Sequence, residues 1–224
     1  GVKPATMVRL AGKLNFENYN DFRDRFRKRI ASPSRGYAAR ARRMQLRNIT
    51  DDEGNLLLDM LEAERENVDF TFANISNVTI NEAAKALVGA EKVYIVGLRK
   101  CYPIAYFFSY ATKGFLTQSC LVQGSAGFFR EEISEITHRD AILVVAFDPY
   151  TRETVEATIM AHKAGANIIA VTDSVVSPLA KNANQVFIAA NRSPSFFRSL
   201  VGAMTIVQAL VAQIVTHIGE DAVR

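Results

Sequence analysis

The chain has 224 residues, 49% of them apolar and 22% charged, a balance that excludes wholesale disorder and a fibrous repeat. Its two cysteines, Cys101 and Cys120, form neither a CxxC pair nor a metal-ligand spacing. That excludes a disulfide-stapled secreted scaffold, and it implies a reducing, cytoplasmic setting with no bound metal. The formal net charge of +4 hides an asymmetry: residues 1–47 carry thirteen Lys/Arg against three Asp/Glu, and the remainder is acidic. Such a division describes a polyanion-facing arm on a body with another task.

The chain opens on Gly1 inside what reads as a motif and without a signal pattern, so a piece of a longer protein is expected. Pro4 suits a first helical position, where its missing N–H costs nothing. Met7, Leu10 and Leu14 then recur at helical spacing, which predicts a short helix with one apolar face. Thr6, Arg9 and Lys13 line the neighbouring face, a polar row that suits a DNA major groove. Asn15 falls in a turn. Phe22, Phe26 and Ile30 then mark a second helix, whose other faces carry Arg23, Arg25, Arg27, Lys28 and Arg29.

Val2–Phe16, read as V-x-P-A-T-x-V-R-L-A-x-K-L-x-F, followed by Y-x-x-F-R at 19–23, resembles the helix-turn-helix of the RpiR family of bacterial transcriptional regulators. The resemblance implies that Lys3, Thr6, Arg9 and Lys13 face operator DNA, with Tyr19 and Arg23 close behind. Lys3 stands where the family usually has a capping serine, and Asn15 where it has glycine, a substitution that a left-handed turn tolerates. The helices that precede the recognition helix are missing from the chain. DNA binding is therefore expected of the full-length parent, with residues 1–30 the C-terminal part of its DNA-binding domain.

Residues 31–50, with Ser32-Pro33-Ser34, Gly36 and five arginines, read as a basic linker or loosely helical hinge. Bridging helices are predicted over 51–90. A long one opens near Asp51, with Leu57, Leu61, Val68, Phe72 and Ile75 on one face, to be buried on the body or on a second subunit. Thr79-Ile80-Asn81-Glu82 has capping-box spacing and predicts a further helix to Gly89.

From 91 to 224 the chain alternates between strand and helix. Strands are predicted at Val93–Val96, Cys120–Val122, Ala141–Ala146, Ile168–Val171 and Val186–Ala189, with helices opening near Pro103, Thr151 and Ser177-Pro178. This predicts an α/β fold, a doubly wound five-stranded parallel sheet preceded by an all-α segment that contains a truncated helix-turn-helix. Ser199 to Gly219 is uncharged and of membrane-spanning length. Thr205, Gln208, Gln213, Thr216 and His217 interrupt it, so a buried core helix is expected and no membrane partner.

Ligands of such sheets bind beyond the strand C-termini, where strand order reverses. In the order 2-1-3-4-5 that crevice is flanked by the loops after the first and third strands. Gly97, Arg99, Lys100, Cys101, Asp148, Tyr150, Thr151 and Arg152 are therefore the candidate effector-binding residues. Helix N-termini and the cations there suit an anion.

The body also resembles a sugar isomerase (SIS) domain, over Leu57 to Ile218, through V-Y-I-V-G, D-A-I-L-V-V-A, R-E-T-V, A-G-A-N-I-I-A-V-T-D-S and S-P-L-A. RpiR-type regulators carry this domain as their effector sensor. The resemblance implies a homo-oligomer, at least a dimer, that binds a sugar phosphate or related sugar acid. Its usual G-x-G-x-S reads Gly97 to Cys101 here, and its usual S-x-S-G-x-T reads Ala146 to Thr151, with Asp148 and Pro149 in place of phosphate donors.

An aldose–ketose isomerase is the alternative, but no catalytic residue is assigned. His138 and His162 fall at the far end of the sheet, His217 late in the last helix, and Glu131 and Glu132 follow the second strand. No cofactor is expected, since Gly97 stands without a G-x-G-x-x-G pattern.

Overall fold

In a computed structural model of the chain, which describes residues 4–24, 37–47 and 56–219, the apolar runs assemble into one five-stranded, all-parallel sheet of order β2-β1-β3-β4-β5. The strands are β1 (Val93–Gly97), β2 (Ser119–Leu121), β3 (Ala141–Ala146), β4 (Asn167–Thr172) and β5 (Gln185–Ile188). Each lies within two residues of its predicted bounds. Period-two alternation divides the strand side chains between two cores. Ile95, Leu143, Val145, Ile169 and Phe187 face one; Tyr94, Val96, Val144, Ile168 and Ala170 face the other.

Helices α4 (Asn77–Gly89), α5 (Tyr102–Thr112) and α8 (Val201–Ile218) cover the first core. Helices α6 (Phe129–Ser134) and α7 (Arg152–Ala164) cover the second. Helix α7 is preceded by Thr151 at its N-cap, as the sequence predicts, and stops at Gly165, whose φ of 76° ends it in the left-handed region. Helix α8 is long and apolar enough to cross a membrane, yet Ala203, Ile206, Val207, Leu210 and Ile214 on one face are buried in the first core. It is built as a core helix.

Two predicted elements need correction. Ser177-Pro178 opens no α-helix: only a single 3-10 turn follows, over Ala180–Asn182. Ser177 Oγ still accepts the Ala180 N–H at 3.1 Å, so the capping chemistry is present with too few residues behind it to extend. Helix α4 begins at Asn77, because Ser76 is its N-cap and accepts from the Thr79 N–H at 3.0 Å. The true capping residue lies three positions before the predicted one.

Helix α3 (Leu56–Ala73) presents an unexpected face to the domain. Its buried residues are Asn67 and Thr71, while Leu61 and Phe72 of the predicted apolar stripe are 45% and 53% exposed and Leu57 more so. The cause is hydrogen bonding. Asn67 Oδ1 accepts the Arg192 N–H and Asn67 Nδ2 donates to the Arg192 carbonyl, at 2.9 and 2.8 Å. Thr71 Oγ1 accepts the Ala190 N–H at 3.2 Å. The segment after β5 has no further strand to pair with, so its backbone groups need polar side chains, and α3 supplies them.

The described residues form two compact units, one of those up to Leu56 with Pro194–Phe197 and one of Leu57–Ser193 with those from Arg198 onward. In the first, α1 (Pro4–Lys13) ends in a turn with Asn15 at φ 59°. A helical segment over 19–24 follows, with Asn18 Oδ1 accepting the Asp21 N–H at 2.9 Å. The close contact of α1 is made by Ala11, fully buried, while Leu10 and Leu14 of the predicted core stripe stay exposed. Helix α2 (Tyr37–Arg47) occupies much of the stretch read as linker. Lys3, Phe26, Ile30 and residues 31–36 and 48–55 lie outside the described residues.

Candidate functional site at the switch point of the sheet

The strand order reverses between β1 and β3, and the loops that follow them meet there. The contact is direct: Lys100 Nζ donates to the Asp148 carbonyl at 2.7 Å. Gly97 ends β1 under the next turn, and a Cβ on it would lie 2.8 Å from both Ala105 Cβ and the Cys101 carbonyl oxygen. A glycine is therefore required for helix α5 to start so close to the strand. Arg99 takes φ 54°, in the left-handed region where the family resemblance expects a glycine, and its side chain is exposed. Cys101 is buried, and burial pushes its thiol up to about 11. It is a packed side chain rather than a thiolate.

Across the crevice, Asp148 and Pro149 are joined by a cis peptide. The anchor of this turn is Asp173, just beyond β4. Its carboxylate accepts the Asp148 N–H at 3.1 Å and the Tyr150 hydroxyl at 2.8 Å. Burial, then the Asp173 hydrogen bond and charge, push the Tyr150 phenol well above its ordinary range. Thr151 is the N-cap of α7, without a side-chain capping bond. Arg152 reaches along its own helix to Glu156, at 3.0 Å, with 83% of its side chain exposed.

Lys100 is held below the ordinary ammonium range by burial, which Arg198 reinforces, against the attraction of Asp173 and Asp148. Cationic groups from two segments, the β1 loop and the turn before α8, thus lie close enough to act on each other electrostatically. The sequence reading missed Asp173, Arg198 and Asn191. Asp173 was visible as the acid that closes the A-V-T-D-S run, at a strand C-terminus like the predicted residues. Arg198 Nη1 donates to Asn191 Oδ1 at 3.1 Å, a pairing with no signal in sequence spacing.

The groups weighed for catalysis lie elsewhere. Glu132 accepts the N–H groups of Gln123 and Gly124, at 2.9 and 3.1 Å, and so pins the loop after β2. His138 lies beside Gly165, at the opposite end of the sheet. His217 Nε2 is 2.8 Å from Asn81 Oδ1, on the outer helices. In the first unit, Thr6, Arg9 and Lys13 are exposed along α1, and Tyr19 and Arg23 are half-buried on the next helical segment.

A doubly wound parallel domain with a crevice at its switch point is a small-molecule-binding class of fold. The SIS domain family model matches residues 86–213, and the chain belongs to that family. Among solved structures it is similar to the sugar isomerase domain of an RpiR transcription factor from Sphaerobacter thermophilus. Identity there is 27% over 75% of this chain and 94% of that one, with a TM-score of 0.70. The Vibrio vulnificus NanR protein, complexed with ManNAc-6P, shares the fold at 19% identity over 98% of this chain and 77% of that one, TM-score 0.67. An Escherichia coli CFT073 protein in complex with A5P does so at 17% identity, over 77% and 96% of the two chains, TM-score 0.60. No curated protein sequence is similar enough to the chain to count as a relative.

Proposed function

We propose that the chain is the sensing part of a cytoplasmic, RpiR-type transcriptional regulator, whose SIS domain binds a small anionic sugar derivative, a sugar phosphate or sugar acid. The observation that carries this reading is the joining of two features in one chain. A row of Thr6, Arg9 and Lys13 is exposed on α1, and the SIS domain that follows has Lys100 at its crevice, bonded to the loop after β3. The ligands named for NanR and the Escherichia coli protein support the sugar-phosphate class. In this reading the effector touches Gly97, Arg99, Lys100, Cys101, Asp148, Tyr150, Thr151 and Arg152. Lys3, Thr6, Arg9, Lys13, Tyr19 and Arg23 face operator DNA.

Sensing is favoured over isomerisation because the candidate acid–base groups are committed to other bonds. Away from the crevice, both Glu132 oxygens hold backbone N–H groups; at it, both Asp173 oxygens accept from the β3 loop, and the Cys101 thiol and Tyr150 phenol are pushed toward their protonated forms. The test is the operator affinity of the full-length protein across a salt series. Phosphate contacts make affinity fall steeply, by tenfold or more between about 50 and 200 mM salt. Arg9→Glu is expected to weaken binding further. A flat salt dependence would contradict a DNA-facing arm.

A further inference from the structure

The loop after β3 has few hydrogen-bond donors left to offer. The Phe147 N–H is directed at the buried Cys101 sulfur, the Asp148 N–H is held by Asp173 at 3.1 Å, and Pro149 has none. The Tyr150 hydroxyl donates to the same Asp173 carboxylate at 2.8 Å. A phosphate group has three strong acceptor oxygens and is held by several charge-assisted donors at once. Three successive residues without a free N–H do not make a phosphate cradle.

Charge works in the same direction. Asp148 is exposed, and among the described residues its carboxylate takes part in no hydrogen bond or ion pair. Its charge acts on both Lys100 and Tyr150, and so does that of Asp173. Against these two carboxylates stands Lys100, whose ammonium keeps two protons beyond the one on the Asp148 carbonyl. Of the other cations, Arg152 is paired with Glu156, Arg198 donates to Asn191, and Arg99 is exposed to solvent, where its charge is screened.

One ammonium beside two carboxylates treats ligand anions according to their charge. A phosphate monoester carries about −1.5 to −2 at neutral pH, so its repulsion from Asp148 is up to roughly twice that of a carboxylate. A carboxylate brings a single charge and two oxygens, which the two remaining Lys100 protons can satisfy.

We propose that the crevice selects a sugar acid over a sugar phosphate, with Lys100 binding the ligand carboxylate and Asp148 turning the phosphate away. The inference rests on the crevice reading above and narrows it to one of its two ligand classes. Asp148 is a specificity residue that acts by repulsion, while Lys100 supplies the attraction common to both classes.

The experiment is calorimetric titration of the chain with pairs of ligands that differ only at C6: glucuronate and glucose 6-phosphate, galacturonate and galactose 6-phosphate, mannuronate and mannose 6-phosphate. At least one uronate should bind, about tenfold or more tighter than its 6-phosphate. Asp148→Asn removes the charge from an exposed side chain and keeps its shape, so the fold is retained. It should strengthen the 6-phosphate about tenfold more than the uronate. Lys100→Glu should abolish binding of both. If the parent chain binds a 6-phosphate as tightly as its uronate, or Asp148→Asn changes the two alike, the selection of sugar acids is overturned. Loss of that binding in Lys100→Glu then leaves the crevice reading standing. Binding that Lys100→Glu does not change, or silence from the whole panel, overturns the crevice reading and this inference with it.

Discussion

Gly97 shows how tightly single residues are fixed around the crevice. A methyl group there would sit 2.8 Å from Ala105 Cβ and from the Cys101 carbonyl oxygen, neither of which is the end of a flexible chain. Gly97→Ala is expected to cost about 2 kcal/mol by overpacking, read as a shift in urea midpoint. Arg99 lies at the other extreme. Its φ of 54° is a conformation that costs a non-glycine residue about 1 kcal/mol, so Arg99→Gly should leave stability level or higher while removing one cation. Cys101 gives a pH prediction. Its thiol is raised from 9.0 to about 11, so the unfolded chain loses this proton first as pH rises. The associated stability is whole below pH 9 and is lost between pH 9 and about 11, on the order of 2 kcal/mol. Cys101→Ala should flatten that decline in alkaline denaturation curves; an unchanged slope would contradict a buried protonated thiol.

At the scale of elements, α3 carries the lesson. Its apolar stripe was legible as a periodic pattern but its neighbour, the body or a second subunit, was not, because periodicity reports which residues share a face and not what covers it. The polar face won because the segment at 190–192 has backbone groups that only side chains can satisfy, through Asn67 and Thr71. Asn67→Ala should therefore cost about 2 kcal/mol, much more than an exposed helical asparagine, and should raise amide exchange at Arg192. Unchanged exchange there would contradict the clasp. Strands β1, β3 and β4 were legible because they are buried on both faces and read as continuous apolar runs bounded by turns. The switch-point rule then placed Lys100 beside Asp148, whereas Asp173, Asn191 and Arg198 come from later loops whose approach depends on the tertiary fold.

For the whole molecule, the exposed side of α3 becomes a prediction about assembly. Leu61 and Phe72 are about half exposed on a helix already anchored through its polar face. A homodimer that covers this stripe accounts for apolar residues at helical spacing on that surface. On this prediction the parent chain sediments as a dimer and Leu61→Glu with Phe72→Glu as a monomer, while the melting of the α/β domain stays two-state. A monomeric parent chain, or an unchanged sedimentation coefficient in the variant, would contradict it.

The claim that joins these scales is that the switch-point crevice, with Lys100 at its centre, recognises the acidic group of a sugar-derived effector. The most direct measurement is a thermal-shift comparison of the chain and its Lys100→Glu variant against sugar phosphates, sugar acids and plain sugars. A ligand at a hundred times its dissociation constant adds about 2.7 kcal/mol, a shift of several degrees. At least one anionic sugar should raise the melting temperature of the parent chain by that amount and leave Lys100→Glu unmoved. An equal shift in both proteins, or a response to plain sugars alone, would contradict recognition of the anion at Lys100.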